Sequence, residues 1–358
     1  MSATPIVTRR SFLYATTSVA GALAFVAPLT PAHAHTAAPP DAATLARPPA
    51  APPAQMAPAA DGPILGAGAQ AASDPTIRPF LYHASDEELA DLKRRIRATR
   101  WPERENDPSQ GVGLVTARKL ADYWAEHHDW RRAEMQLFAH PHFMTEIDGV
   151  DIHFIHVRSK HANALPIVIT HGWPGSVIEQ LKIIGPLTDP TAYGGTAADA
   201  FDVVIPSLPG YGFSGKPTTN GWDPQRIARA FSTLMTRLGY KHYVAQGGDW
   251  GNAVTEQMAL QQPPGLLAIH TNMPATVPDD IAQALKFGEP APASLSADEK
   301  HAFDQLDYFY KHGLGYALEM ANRPQMLYAI EDSPIGLAAW MLDHDAASKA
   351  LIARVFDG

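Results

Sequence analysis

Between Leu165 and Ile269, short apolar runs alternate with helical patterns, and this alternation constrains the fold more than any other feature. Pro166-Ile167-Val168-Ile169-Thr170, Phe201 to Pro206, Tyr243 to Gln246 and Leu266 to Ile269 read as strands. Val177 to Ile184, a segment opened by Asp223 and Pro224, and Asn252 to Gln262 lie between them with helical spacing. The second of these carries Ile227, Ala230, Phe231, Leu234 and Leu238 on one stripe, and Gly239 closes it. Continuous apolar strands separated by helices need a parallel sheet covered on both faces. The run at Leu266 is expected to be one more buried strand, with an open edge beyond it that favours aggregation.

The third strand leads into Gly247-Gly248-Asp249-Trp250-Gly251. Small residues flank a central side chain in the form of a nucleophile elbow, and the strand–turn–helix setting is the one such a motif requires. Asp stands where a serine hydrolase carries Ser. A carboxylate with a pKa of about 4 is ionised at neutral pH and needs no base to become a nucleophile. The plainer reading of Asp249 is a helix N-cap. The flanking glycines and preceding strand favour the nucleophile.

Upstream, Ser85-x-x-Glu88 is a capping box followed by Leu89, Leu92 and Ile96, and Arg100-Trp101-Pro102 ends that helix. A second helix is expected over Ala117 to His127. Phe143 to Val157 reads as a hairpin through Asp148-Gly149. Downstream, Ser296-x-x-Glu299 opens a helix to about His312, and further helices cover Tyr316 to Ile330 and Pro334 to His344. Gly210-x-Gly212 is a turn and lacks the third glycine of a dinucleotide fingerprint. His127-His128 and His140-x-His142 lack the nearby carboxylates of a metal site.

The chain has 358 residues, a formal charge of −9 and no Cys, which excludes disulfides and Cys nucleophiles. The acidic balance argues against nucleic acid or an anionic membrane as main partner. Thr8-Arg9-Arg10-Ser11-Phe12-Leu13 is similar to the twin-arginine export consensus, with Tyr14 where Lys is frequent. The apolar stretch Ala15 to Leu29 is too short for a permanent membrane span, and Ala32-His33-Ala34 has the form of a cleavage site. Expected are a signal over 1–34, the twin-arginine machinery as partner, and a periplasmic or secreted product. Residues 35–75, rich in Ala and Pro, read as an extended linker.

Four motifs together resemble the microsomal and juvenile-hormone type of epoxide hydrolase. They are the elbow, Thr170-His171-Gly172-Trp173-Pro174-Gly175, Pro209-Gly210-Tyr211-Gly212-Phe213-Ser214, and the helical segments with Gly315-Tyr316, Arg323-Pro324 and Asp332 to Trp340. Thr99-Arg100-Trp101-Pro102 and Thr145 to Gly149 extend the resemblance, which runs from Ile77 to Gly358. It implies an α/β-hydrolase fold: an N-terminal helical and hairpin region over 76–164, a core over 165–272 and a helical lid over 273–358.

The resemblance also implies roles. Asp249 attacks an epoxide carbon of a small apolar substrate and forms an ester, and Tyr316 protonates the epoxide oxygen. Backbone N–H groups of Trp173 and Trp250 form the oxyanion hole, with the Trp173–Pro174 bond cis. His171 and Phe213 are the substrate-binding candidates, His171 being structural rather than catalytic. No cofactor or metal is implied, and a homo-oligomer is left open. By spacing alone Tyr316 reads as a core aromatic. The family pattern places a second lid Tyr, an acid, a catalytic His and the last core strands beyond the last lid helices. His270, His301, His312 and His344 do not follow a late strand, so the chain reads as truncated, with impaired turnover. Two alternatives stay open: a haloalkane or haloacid dehalogenase with the same Asp, and a catalytically dead binding module.

Overall fold

The computed structural model describes residues 76–107, 111–274 and 277–342. The twin-arginine segment, its cleavage site and the Ala/Pro-rich stretch lie outside the described residues.

A short strand, β1 (Arg78–Phe80), precedes three helices: α1 (Asp86–Arg97), α2 (Leu114–Glu126) and α3 (Trp130–Leu137). The capping box forms in both directions: Ser85 Oγ accepts the Glu88 N–H at 3.2 Å and Glu88 Oε2 accepts the Ser85 N–H at 2.7 Å. α3 is not announced by an apolar stripe, but Asp129 caps it by accepting the Arg132 N–H at 3.0 Å. The hairpin follows as β2 (His142–Ile147) and β3 (Val150–Val157). At its turn Asp148 and Gly149 have φ of 54° and 78°, the two positive values a type I′ turn requires.

One seven-stranded sheet takes in every strand of the described residues, in the order β1-β2-β3-β5-β4-β6-β7. β4 (Leu165–Thr170), β5 (Phe201–Pro206), β6 (Tyr243–Gly247) and β7 (Leu266–Thr271) are its parallel half. β3 pairs antiparallel with β5, so the hairpin extends this sheet and the sheet as a whole is mixed. On β4, Ile167 and Ile169 pack with Ile184 and Leu187 of α4 (Leu181–Thr188), and Val168 packs with Phe231 and Leu234 of α5 (Pro224–Arg237). Both faces are therefore dry, which explains the unbroken apolar runs. Each such side chain stabilises the fold by about 1.5–3 kcal/mol.

Strand order reverses around β4, with β5 on one side and β6 on the other. Open parallel sheets bind ligands at the carboxyl ends of the strands flanking such a reversal. There the register pairs Thr170 with Gly247, so the loops after β4 and β6 leave the sheet side by side.

Several elements differ from the sequence expectation. The helix expected over Val177 to Ile184 begins as a 3₁₀ turn, Val177–Gln180, and continues in α4 to Thr188 with Pro186 inside it. β7 is not buried: with α6 (Trp250–Gln261) packed on it, Leu267 is still 59% and Ile269 36% exposed. α7 (Asp279–Phe287) precedes α8 (Ala297–Tyr308), and a π-helical turn over Phe309–Gly313 replaces the end expected near His312. The helix expected over Tyr316 to Ile330 is split into α9 (Gly315–Asn322), a 3₁₀ turn (Pro324–Met326) and α10 (Leu327–Asp332). Pro324 has no N–H to continue the ladder. α11 (Pro334–Leu342) follows; the expected end at His344 lies outside the described residues.

Candidate active site

The elbow after β6 is built by close approach. Asp249 has φ 53° and ψ −129°, a conformation that costs a non-glycine residue about 1–3 kcal/mol. A Cβ on Gly247 would lie 2.0 Å from Gly251 O, one on Gly248 2.2 Å from Asn272 Oδ1, and one on Gly251 2.1 Å from Thr170 O. All three glycines are therefore fixed by backbone or polar neighbours. The packing they permit presses the first turn of α6 against the end of β4. Asp249 is also the N-cap of α6, so a capping role and a place in the elbow are compatible.

Two amides converge on one carboxylate oxygen. Asp249 Oδ1 accepts the Trp250 N–H at 2.7 Å and the Trp173 N–H at 2.8 Å. The second comes from the loop after β4, where the Trp173–Pro174 bond is cis. Gly172 is required here as well, because a Cβ on it would lie 2.6 Å from Asp249 Cβ. The positive end of α6 adds to the field that favours an anion at this position.

The helices after β7 bring aromatic rings to the same loop. The Tyr316 ring, on α9, stacks on Trp173 with centroids 5.7 Å apart and 19° between planes. Trp340, on α11, stands edge-on to both, 5.5 Å from Trp173 and 5.8 Å from Tyr316. Its buried indole Nε1 has no hydrogen-bond partner among the described residues. Sequence reasoning gave Trp340 no role, although it closes the Asp332 to Trp340 segment.

His171 is buried and fully engaged. Its Nδ1–H donates to Gly172 O at 2.8 Å, and its Nε2 accepts the Leu208 N–H at 3.0 Å. That pair of contacts needs the neutral ring, and burial holds its pKa below the usual value. The residue thus ties the loop after β4 to the turn after β5. Phe213, on that turn, lies against Phe80, His153, Tyr82 and Phe138 at centroid distances of 5.1 to 5.9 Å. It therefore sits at the junction with the N-terminal region.

Behind that junction runs a chain of buried groups that the sequence did not announce. Leu137 O can only accept, so His142 Nε2–H donates to it at 2.9 Å. His142 Nδ1 then accepts from His153 Nε2–H at 2.8 Å, and His153 Nδ1 accepts from the Ser207 hydroxyl at 2.8 Å. Both rings are neutral in this chain. Burial and the neighbouring imidazoles push His153 down to about 3.

Two surface clefts, of about 390 and 200 Å³, lie on the N-terminal helices, around Arg95 and around Trp124, away from Asp249. Among the described residues, no group of three or more His, Cys, Asp or Glu is placed to hold a metal, and no helix is long and apolar enough to cross a membrane.

Residues 77–180 match the family model described as epoxide hydrolase N terminus, and residues 166–335 match the model of the alpha/beta hydrolase fold. A putative epoxide hydrolase of Stigmatella aurantiaca is 53% identical over 270 residues, which are 75% of this chain and 59% of the relative. Epoxide hydrolase 1 of Oryctolagus cuniculus is 37% identical over 285 residues, 75% of this chain and 62% of the relative. The crystal structure of juvenile hormone epoxide hydrolase from the silkworm Bombyx mori superposes with a TM-score of 0.67 at 31% identity, covering 75% of this chain and 66% of that one. The chain spans 59% to 62% of the length of these two curated relatives.

Proposed function

The chain belongs to the epoxide hydrolase family, with the α/β-hydrolase fold, and from that premise we propose that it opens a small apolar epoxide through a covalent ester on Asp249. The observation that carries this reading is the convergence of the Trp173 and Trp250 amides on Asp249 Oδ1, at 2.8 and 2.7 Å. With Oδ1 held, Oδ2 is the attacking atom. It forms a bond to one epoxide carbon as the carbon–oxygen bond breaks, and the released oxygen takes the Tyr316 hydroxyl proton. The stacking of Tyr316 on Trp173 supports that role, since it ties the lid phenol to the loop that holds the nucleophile. The rings of Trp173, Tyr316 and Trp340 supply an apolar surface next to it.

In the second half-reaction water attacks the ester carbonyl carbon. The charge that develops falls on Oδ1, where the two amides already point, and one such donor is worth about 3–4 kcal/mol. A base must also take a proton from the water. His171 is not that base, because both its ring nitrogens are spent on the backbone. The residues around Asp249 thus supply ring opening and the oxyanion hole. We propose that the ester on Asp249 persists long enough to be trapped, because His171 does not deprotonate the water. Mass spectrometry of the protein after incubation with styrene oxide tests the reading: an adduct on Asp249 is expected, and an adduct elsewhere or a diol made without Asp249 would contradict it.

Export through the twin-arginine machinery to the periplasm or beyond is proposed on residues 8–34 alone. Its test is the N-terminal mass of the protein recovered from an exporting host, which should begin after Ala34.

A further inference from the structure

We propose that Glu179 is a positioning residue for the oxyanion hole, its carboxylate holding the 172–176 backbone so that the Trp173 N–H meets Asp249. The proposal rests on the reading of Asp249 as nucleophile. The loop needs such a hold. Gly172 and Gly175 flank Trp173-Pro174, and glycine leaves a backbone free to move. A displacement of the Trp173 amide would remove one of the two donors on Oδ1.

Three observations separate Glu179 from an ordinary capping-box glutamate. The first is space. A Cβ on Gly175 would fall 1.3 Å from Glu179 Oε1, so the carboxylate fills the volume that a side chain at 175 would take. The second is the pair of amides it faces. Oε1 accepts the Ser176 N–H at 3.0 Å, and the Gly172 N–H also stabilises the anion. Gly172 and Trp173 are consecutive, so adjacent amides of one loop serve two carboxylates, Glu179 and Asp249. An ionised acceptor makes such bonds about twice as strong as a neutral one.

The third is electrostatic. Glu88 and Glu299, the glutamates of two other capping boxes, have carboxyls held below the usual range by their own Ser caps. Glu179 is pushed up instead, first by desolvation of its carboxyl and then by the charge of Asp249, with the Gly172 and Ser176 amides acting in the opposite direction, although the residue as a whole is exposed. A carboxylate that served only to cap the four-residue turn Val177–Gln180 would gain nothing from lying so close to a second negative charge.

The test uses Glu179→Gln, which keeps length without charge, and Glu179→Asp, which keeps charge on a shorter arm. Two readouts are taken on the full chain. Hydrogen–deuterium exchange of the peptide covering residues 171–178 should quicken in Glu179→Gln by about 10-fold, the loss expected when one charge-assisted bond of about 1.5 kcal/mol is weakened. The Asp249 ester formed with styrene oxide is then cleaved by hydroxylamine in the folded protein. This attack passes through the same tetrahedral carbon and needs no protein base. It should slow by about 10-fold in Glu179→Gln, with ester formation changed by less than about 3-fold, because the oxyanion hole serves the second step. Glu179→Asp should fall between wild type and Glu179→Gln in both readouts. A mere capping role would lower the melting temperature and leave hydroxylamine cleavage unchanged, and that result, or unaltered exchange at 171–178, overturns the proposal. If wild-type protein forms no ester, the nucleophile reading has failed and the exchange result alone decides the hold of Glu179 on the loop.

Discussion

The Trp173 amide nitrogen lies 2.8 Å from Asp249 Oδ1, across 76 residues of chain. The sheet accounts for this meeting. β4 and β6 are neighbours, and Thr170 pairs with Gly247 at their carboxyl ends. The glycines then let the two turns close on each other, with Gly172 against Asp249 and Gly251 against Thr170. The Trp173 donor and the Asp249 carboxylate are therefore positioned by the ends of two buried strands.

Gly251 tests that account of the fold. Alanine is favoured over glycine inside a helix by about 1 kcal/mol. A Cβ at 251 would nevertheless lie 2.1 Å from Thr170 O, which is backbone and has little room to move. Gly251→Ala should therefore destabilise the protein by about 2–3 kcal/mol in urea unfolding. A stabilised variant would show that α6 does not press on the end of β4.

Tyr316 tests the acid. Tyr316→Phe keeps the ring stacked on Trp173 at 5.7 Å and removes the hydroxyl. Ester formation on Asp249 should slow by about 10²-fold or more, the range of general acid catalysis, with little change in apparent epoxide affinity. Stopped-flow quenching of Trp fluorescence would follow both. An unchanged rate assigns the proton to another group.

His153 makes stability depend on pH. The ring is neutral in the fold, with a pKa pushed down to about 3, against about 6.5 in an unfolded chain. Between those values the unfolded state binds the extra proton, so acid favours unfolding. The contribution of this residue is complete above pH of about 6.5 and is lost progressively as pH falls toward 3, by about 1.4 kcal/mol per unit. Urea unfolding at pH 7 and 5 should show the loss, and His153→Gln should flatten it while lowering stability at pH 7. Equal slopes in the two proteins would place the sensitivity elsewhere.

Much of this was legible in the sequence, and for local reasons. The elbow, the His171-Gly172-Trp173-Pro174 turn and the two capping boxes are short-range motifs whose chemistry is written within a few residues. Trp173, Trp250 and Asp249 could be named because each sits in one, whereas Tyr316 reads as a core aromatic by spacing and is singled out only by the family resemblance. The rest depends on partners far along the chain. β1 is three residues long, and only its pairing with β2 makes it a strand. The His142–His153 pair is set by the cross-strand neighbourhood of β2 and β3, which spacing does not show. Ser176-x-x-Glu179 carries the same box pattern as Ser85 and Ser296, but the apolar run beside it reads as helix and masks it. The exposure of β7 was missed because an apolar strand gives no sign of which neighbours will cover it.

The central claim is that Asp249 becomes covalently bonded to the substrate, and a single turnover in 18O-labelled water tests it most directly. The account has the diol oxygen come from the Asp249 carboxylate, so the label should enter Asp249, or an unresolved ester should be found there, with Asp249→Asn showing neither. Label in the diol together with an unmodified, unlabelled Asp249 would contradict it.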